Sequence, residues 1–368
     1  MSGNHFSNPA VTGVYALLAD GTTVRVRPLV PADRAAVARL YGQMSPLNLR
    51  RRFFAAGPLI ASQAADALCA SPAGPGVRAL VAEADGEPVG VAEYHTEPGG
   101  TPGTAPADAE VGLAVADEWH HRGTGTLLLE HLADLARADG LREPTADALS
   151  ENLPALRVFR DLGLPLRRSF EGPEVRLRVA LTPDEHYLTA LDTRGRTAGV
   201  AGLLPLLRPR SVVVVGAGHR PGSMGRAILR NLRGHGFTGP VHTVNLHGPA
   251  IDGLPCHPTV SAASVPAVAE ECGAFGIRAL AVLASGLDAR QAADLRAACR
   301  GHGMRLVGPN WLGLADTETD VRLDATVAAR FPLRVPPGSP PSRAGSASPC
   351  CRAATAAVPS TSGPWRAC

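Results

Sequence analysis

Residues 110–138 read EVGLAVADEWHHRGTGTLLLEHLADLARA and join a strand, a glycine-rich turn and an amphipathic helix without a break. Residues 110–115 form a short apolar run led by one acid, as suits a strand buried on most of its surface. Residues 120–126 supply the turn. Leu128, Leu132 and Leu135 recur at helical spacing, Leu127 and Leu129 widen the apolar stripe, and Gly140 stands where a C-cap would stop the helix. A helix entered through Arg122-Gly123-Thr124-Gly125-Thr126 aims several unpaired backbone N–H groups at one spot, which favours an anion. Gly123 and Gly125 let a diphosphate reach the backbone, with Arg122 and Thr126 as added donors. The same residues also suit a plain tight turn that needs glycine for its dihedrals, so the turn by itself leaves both readings open.

Its neighbours decide between them. Arg122-Gly123-Thr124-Gly125 after an acid-led strand resembles the acyl-CoA pyrophosphate loop of the GNAT superfamily of N-acetyltransferases, with His120 where that family usually has Gln or Arg. Downstream, residues 151–163 (ENLPALRVFRDLG) are similar to the family's second conserved segment, an Asn followed by a helix ending in Gly. The resemblance implies an N-terminal GNAT fold, a mixed sheet with helices, and acetyl-CoA as cosubstrate.

The totals narrow the rest. A chain of 368 residues with 45% apolar content can fill two cores. A net charge of +3 predicts no strong nucleic-acid partner. There is no lysine, so every basic residue counted is arginine. The seven cysteines show no C-x-x-C and no paired histidine spacing, which predicts neither a metal site nor a disulfide framework. No run is long enough to span a bilayer and the first residues lack a basic-then-apolar signal, so the expectation is a cytoplasmic protein without membrane contact.

Reading outward, residues 1–14 are polar and Gly/Pro-bearing and predict a flexible leader. Asp20-Gly21 and Asp85-Gly86 read as hairpin turns between apolar runs. Pro31-Ala32-Asp33 opens a helix with Val37, Leu40 and Tyr41 on one face. Residues 45–54, SPLNLRRRFF, set three arginines beside two aromatics. They suit a solvated helix face packed through Phe53 and Phe54, or a rim of the acceptor site that selects an acidic protein surface. The loop at 98–106 delivers the chain to Glu110, and residues 174–181 alternate apolar and arginine positions as a late strand. The first domain is expected over 15–182 and a linker over 183–208, helical at 185–191.

Beyond the linker, Ser211-Val212-Val213-Val214-Val215-Gly216 is an apolar strand running into Gly218, Gly222 and Gly225 and then a helix, the first βα unit of a doubly wound α/β sheet. Asn245 stands after the next strand, where an NAD site would want an acid, so NAD is disfavoured. Gly216-Ala217-Gly218, Pro221-Gly222-Ser223, Val244-Asn245 and Gly308-Pro309-Asn310 resemble the CoA-binding domain of NDP-forming acyl-CoA synthetases. The implied domain is Rossmann-like, spans 209–330, and offers CoA or a nucleotide a site at Gly216, Gly218, Gly222, Ser223 and Asn245. Between Asn245 and a helix at 265–272 the text reads as loop, as if a strand were missing, and Trp311 replaces the small residue expected after Gly-Pro-Asn. Residues 331–368, rich in Pro, Ser, Ala and Arg without periodicity, predict a disordered tail.

Acyl transfer to an amine requires the amine neutral, whereas a free lysine has a pKa of about 10.4. A base must take the proton. Glu110 matches the glutamate that lysine acetyltransferases of the superfamily use, and Val111, Leu113 and Val115 are expected to desolvate it. The alternative is an edge-strand carboxylate facing solvent, with Asp108 and Glu118 as weaker substitutes. The resemblance further implies that backbone N–H groups beside Leu113–Val115 polarise the thioester carbonyl. Phe159 occupies the position where many members carry a tyrosine that protonates the thiolate. Asn152 is either a contact to the CoA arm or a helix cap. Adjacent His120 and His121 cannot easily share one ligand and read as surface positions. The domain order resembles bacterial protein lysine acetyltransferases that act on metabolic enzymes such as acetyl-CoA synthetase, and so implies a protein substrate with an accessible lysine. A small-molecule amine N-acetyltransferase, or a non-catalytic CoA-sensing or decayed protein, is the other reading.

Overall fold

The structure is a computed structural model whose described residues are 13–55, 59–74, 76–96, 109–216, 222–244, 250–251, 254–257 and 265–328. The predicted tail, most of the predicted leader, Asp108, Gly218 and Asn245 lie outside them. The chain divides into two compact units, one drawn from Met1–Leu206, Ala262–Leu280 and Asp288–Leu306, the other from Leu207–Ser261, Ala281–Leu287 and Val307–Cys368.

The first unit opens with β1 (Val14–Leu17), β2 (Thr23–Pro28), α1 (Arg34–Gln43), α2 (Pro46–Phe53), α3 (Ile60–Ala70), β3 (Val77–Ala84) and β4 (Glu87–Thr96). It continues with β5 (Ala109–Val115), α4 (Thr124–Ala138), β6 (Thr145–Leu149), α5 (Leu153–Asp161), β7 (Leu166–Glu171), β8 (Glu174–Val179) and α6 (Glu185–Leu207). The eight strands form one sheet in the order β1-β2-β3-β4-β5-β6-β8-β7. Every neighbouring pair of strands in it runs antiparallel except β5 with β6, which are parallel and register at a single pair, Glu110 with Thr145.

Strand alternation splits this sheet between two cores. Ala92 and Tyr94 of β4, with Val111 and Leu113 of β5, pack with Leu128, Leu129 and Leu132 of α4 and Phe159 of α5. Val91 and Ala114 point the other way, into a layer with Val37, Leu40 and Tyr41 of α1 and Leu68 of α3. The hairpin turn at Asp85 (φ 50°) and Gly86 (φ 80°) has both residues in the left-handed region, which matches the twist of the flanking strands. β1 starts inside the predicted leader, at Val14. Strand β7 was missed in the sequence because its last five residues are all exposed and carry no apolar alternation.

Arg27 ties β2 to the helical layer. Its guanidinium donates to both carboxylate oxygens of Asp33, at 2.7 and 2.8 Å, and to Glu83 on β3. Burial pushes the Asp33 carboxyl up, but hydrogen bonds from Arg27 and the Val30 N–H outweigh it and hold its pKa below the usual carboxylate value. A lowered native pKa means stability that is whole above the unfolded pKa and is lost as pH falls through the native one. Thermal melts over acid pH should therefore show a falling limb that flattens in Asp33→Asn. An unchanged limb in the variant would assign the acid loss to other groups.

The stretch read as a linker is, within this unit, one long helix, despite Gly195, Gly199, Gly202 and Pro205 inside it. Propensity argues against that, and side chains override it. Arg194 Nε donates to Glu130 of α4 at 2.6 Å, and its other nitrogens reach the carbonyls of Asp161 and Leu162 at the end of α5. Tyr187, only 4% exposed, joins the first core.

The chain goes on through β9 (Val212–Val215), α7 (Met224–Gly234), β10 (Val241–Val244), β11 (Ala250–Ile251), β12 (Leu254–His257), α8 (Val265–Ala274), β13 (Ala279–Ala281), α9 (Ala289–Gly301), β14 (Arg305–Val307), β15 (Gly313–Asp316) and β16 (Leu323–Thr326). β9 and β10 are parallel, as a doubly wound sheet requires, and β12 adds to β10 in parallel through Thr243 with Cys256 and Val244 with His257. The strand expected to be missing is thus present. Its text, LPCH, is too short and too polar to stand out as an apolar run. In the second unit Val214, Ile228, Leu229, Leu232 and Leu323 form a separate small core. Asn231 of α7 donates to the carbonyls of Thr326 and Ala328 at 2.9 and 2.7 Å, which holds the β15–β16 hairpin on that helix.

Candidate active site

The geometry that matters lies where β5 and β6 part. They meet at Glu110 and Thr145 and share no further register, so beyond that pair the backbone of β5 faces an open wedge. Glu110 is exposed at the closed end of the wedge. Val111, Leu113 and Val115 alternate to the opposite face of the strand, so the desolvation expected from them does not reach Glu110; this corrects the sequence reading.

At the open end, a short turn of helix at Asp117–Trp119 leads through His120 and His121 to Gly123, whose φ of 89° makes it the left-handed entry to α4. The first N–H groups of α4 have no helical partner. Gly125 is glycine for a packing reason: a Cβ there would meet Leu113 at 3.2 Å and Val158 at 3.3 Å. The helix end is thereby drawn against β5 and α5. Arg122 stacks over the Trp119 ring at 4.7 Å and lies 3.7 Å from Asp20, half-exposed at the rim of the turn. Thr124 is buried and donates to the Trp119 carbonyl at 3.2 Å, so its hydroxyl closes the turn, and Thr126 is buried beside it. His120 bonds the Val115 carbonyl at 3.0 Å through Nε2, while His121 is exposed with its ring perpendicular to that of His120. No cluster of metal-ligating side chains occurs among the described residues.

Two residues of the second conserved segment have structural partners. Asn152 caps α5, its Oδ1 accepting from the Ala155 N–H at 3.3 Å. Phe159 is 6% exposed in the core shared by α4 and α5. Glu118 is exposed on the short helical turn. In the second unit Gly216 ends β9 with φ 78°, and Gly222 (φ 84°) and Ser223 lead into α7. A cleft of about 620 Å³ lined by Arg160, Arg168, Asp184 and His186 lies at the far end of α5 from Asn152.

Sequence reasoning missed a charge cluster on the same face as Glu110. Glu93 of β4 registers opposite Gly112, two residues from Glu110, and is 4% exposed. Its Oε1 accepts from Arg52 of α2, one of the three arginines read either as a solvated face or as an acceptor-site rim. Burial works against the Arg52 charge, but the Glu93 carboxylate outweighs it, and Tyr41 and Glu110 add smaller pulls. A Cβ at position 112 would overlap both Arg52 Nη2 and Glu93 Oε1, so only glycine lets the guanidinium cross β5. On the other side of the wedge Arg176 of β8 donates to both oxygens of Asp147 at 3.0 Å. Glu110 thus lies between two arginines, each already paired with a carboxylate of its own.

A mixed sheet with two strands splayed at its centre, and a glycine-entered helix N-terminus at the mouth of the splay, defines an acyl-CoA-dependent transferase domain. Residues 48–164 match the acetyltransferase (GNAT) family and residues 210–316 match the CoA binding domain family. The chain thus carries a GNAT acetyltransferase domain followed by a CoA-binding domain. Its first domain is an acetyl-CoA-dependent N-acetyltransferase domain. The GNAT domain of S. lividans PAT is 34% identical and aligns over 47% of this chain and 99% of that one, at a TM-score of 0.42. The alpha subunit of the ADP-forming acetate–CoA ligase I of Pyrococcus furiosus is 32% identical over 157 residues, 36% of this chain and 33% of that protein. The corresponding ligase I of Archaeoglobus fulgidus is 32% identical over 147 residues, 34% of this chain and 21% of that protein. The chain therefore spans about a third and a fifth of the length of these two curated relatives. No helix among the described residues is long and apolar enough to cross a membrane.

Proposed function

We propose that the chain acetylates the Nε-amine of a protein lysine, with Glu110 as general base, and that its CoA-binding domain regulates this transfer in response to CoA or a nucleotide. The observation that carries the reading is the exposed carboxylate of Glu110 at the closed end of the β5–β6 wedge. It faces away from the α4 core, so an acceptor reaches it from the side opposite the helix whose N-terminus suits a diphosphate.

In this reading the α4 N-terminus, Gly123 and Gly125 cradle the pyrophosphate and Arg122 guards the rim. Thr124 and Thr126 shape the turn. Asn152 holds the start of α5 beside the CoA arm and Phe159 gives that helix an apolar seat. Backbone N–H groups near Leu113 and Val115 polarise the thioester carbonyl. Glu110 takes a proton from the lysine ammonium, directly or through water. The neutral nitrogen then forms the new C–N bond as the C–S bond breaks, its surplus proton passes through solvent to the departing thiolate, and CoA leaves as the free thiol. A thiol of pKa about 8.5 leaves without a protein acid, in keeping with Phe159 where a tyrosine would stand. Gly216, Gly218, Gly222, Ser223 and Asn245 form the ligand site of the second domain. The chain has no lysine, so control by lysine autoacetylation is closed to it and falls to that domain.

Metabolic acyl-CoA synthetases, such as acetyl-CoA synthetase, are the protein acceptors to try first. The full chain, labelled acetyl-CoA, a set of these enzymes and a panel of small amines make the test. Label on a protein lysine supports the reading, and label on small amines alone sinks it.

A further inference from the structure

The sheet register sets five exposed or half-exposed side chains in one line across neighbouring strands. His95 registers with Glu110, Glu110 with Thr145, Thr145 with Arg178, and Arg178 with Arg167. Directly registered residues share a face, so this row lies on the side from which an acceptor meets Glu110. At about 4.8 Å per strand, Arg178 stands about 10 Å from Glu110, with Arg167 one strand further.

Two like charges directly opposite each other on an antiparallel pair are destabilising. Arg167 and Arg178 are such a pair, both exposed, and neither has an ion-pair partner among the described residues. Two other arginines beside this row are paired. Arg176 is held by Asp147 and lies 3.6 Å from Glu171, and Arg52 is held by Glu93. Glu171 and Glu174 face each other beside the hairpin turn, four registered pairs further along the strands than Arg167 and Arg178. The uncompensated positive charge is therefore concentrated at the end of the shelf nearest Glu110.

We propose that Arg167 and Arg178 form the acceptor-docking surface and select a lysine with an acidic residue about four positions away in an extended peptide. The spacing follows from the geometry: an even step keeps both side chains of an extended peptide on one face, and four residues at about 3.3 Å each reach to between Arg178 and Arg167. This inference rests on the lysine-acceptor reading above. It differs from the expectation attached to the α2 arginines, because Arg52 there is taken up by Glu93 and the charges that register in line with Glu110 lie on β8 and β7.

The test uses the full chain, acetyl-CoA and three synthetic peptides that carry one lysine with Glu, Gln or Arg four positions to either side. At low ionic strength, kcat/KM should rank Glu over Gln over Arg. Two exposed pairs are expected to give a spread of roughly three- to tenfold between Glu and Gln, shrinking at high salt. In R167Q/R178Q the ratio should fall to about one, and in R167E/R178E the order should reverse. Melting curves confirm that each variant is folded. Equal kcat/KM for the three peptides in the unaltered protein overturns the docking proposal and leaves lysine transfer standing, as does a preference that survives in a folded double variant. Small amines acetylated with no peptide accepted overturns both.

Discussion

Glu110→Gln is expected to lower turnover by about 10²–10⁴-fold, the usual worth of a positioned general base, while acetyl-CoA still raises the melting temperature as it does in the unaltered chain. Glutamine keeps the shape of the side chain and loses only the capacity to take a proton. The position is exposed, and its side chain makes no hydrogen bond recorded among the described residues, so the fold should not register the change. The cradle at Gly123 and Gly125 belongs to a different segment, which is why binding and turnover should separate. Retention of most of the turnover would remove Glu110 as base and return attention to Glu118 or Asp108. Loss of the acetyl-CoA shift together with turnover would mean that the substitution disturbs the wedge itself.

The largest stability effect is expected at Arg52. The ion pair it makes with Glu93 is nearly closed to water, with side-chain exposures of 21% and 5%. Glu93 Oε2 and Arg52 Nε are buried without another partner among the described residues, so neither group has a substitute when the pair is broken. Arg52→Ala leaves an uncompensated carboxylate and should cost about 3–5 kcal/mol, a fall in melting temperature of roughly 6–20 °C for a domain of this size. Adding Glu93→Gln to that variant removes the orphaned charge and should recover part of the loss, a coupling that a double-mutant cycle measures. Gly112→Ala approaches the same pair from the strand side, since its Cβ would overlap both partners. A loss below about 1 kcal/mol for Arg52→Ala would show that the pair behaves as an ordinary surface bridge.

The site was legible in the sequence to the extent that it is local. Residues 110–138 announced strand, turn and helix because period-2 and period-3.6 patterns and glycine placement are properties of neighbouring residues, and β5, the Gly123 entry and α4 are where those patterns put them. The alternation that made β5 a strand also implies that Val111 and Leu113 lie opposite Glu110, so the absence of desolvation could have been read in advance. Other features had no local signal. Nothing in SPLNLRRRFF distinguishes Arg52 from Arg50 and Arg51, and only the approach of β4 gives it Glu93. The glycines of α6 outweigh its helical pattern until Glu130 and the carbonyls closing α5 supply Arg194 with partners. Strand β12 exists because β10 offers it a parallel edge.

By itself, then, the sequence determined the order of elements through Glu110 and the glycine-entered helix, and the two family resemblances that bracket the chain, because these are written in spacing along the backbone. Which charges are buried, which are paired and which face an incoming acceptor was decided only by the tertiary structure. Registers such as Glu93 with Gly112, and Arg167 with Arg178, join residues remote in the chain, and an ion's energy depends on the partner and the water around it rather than on its neighbours in sequence.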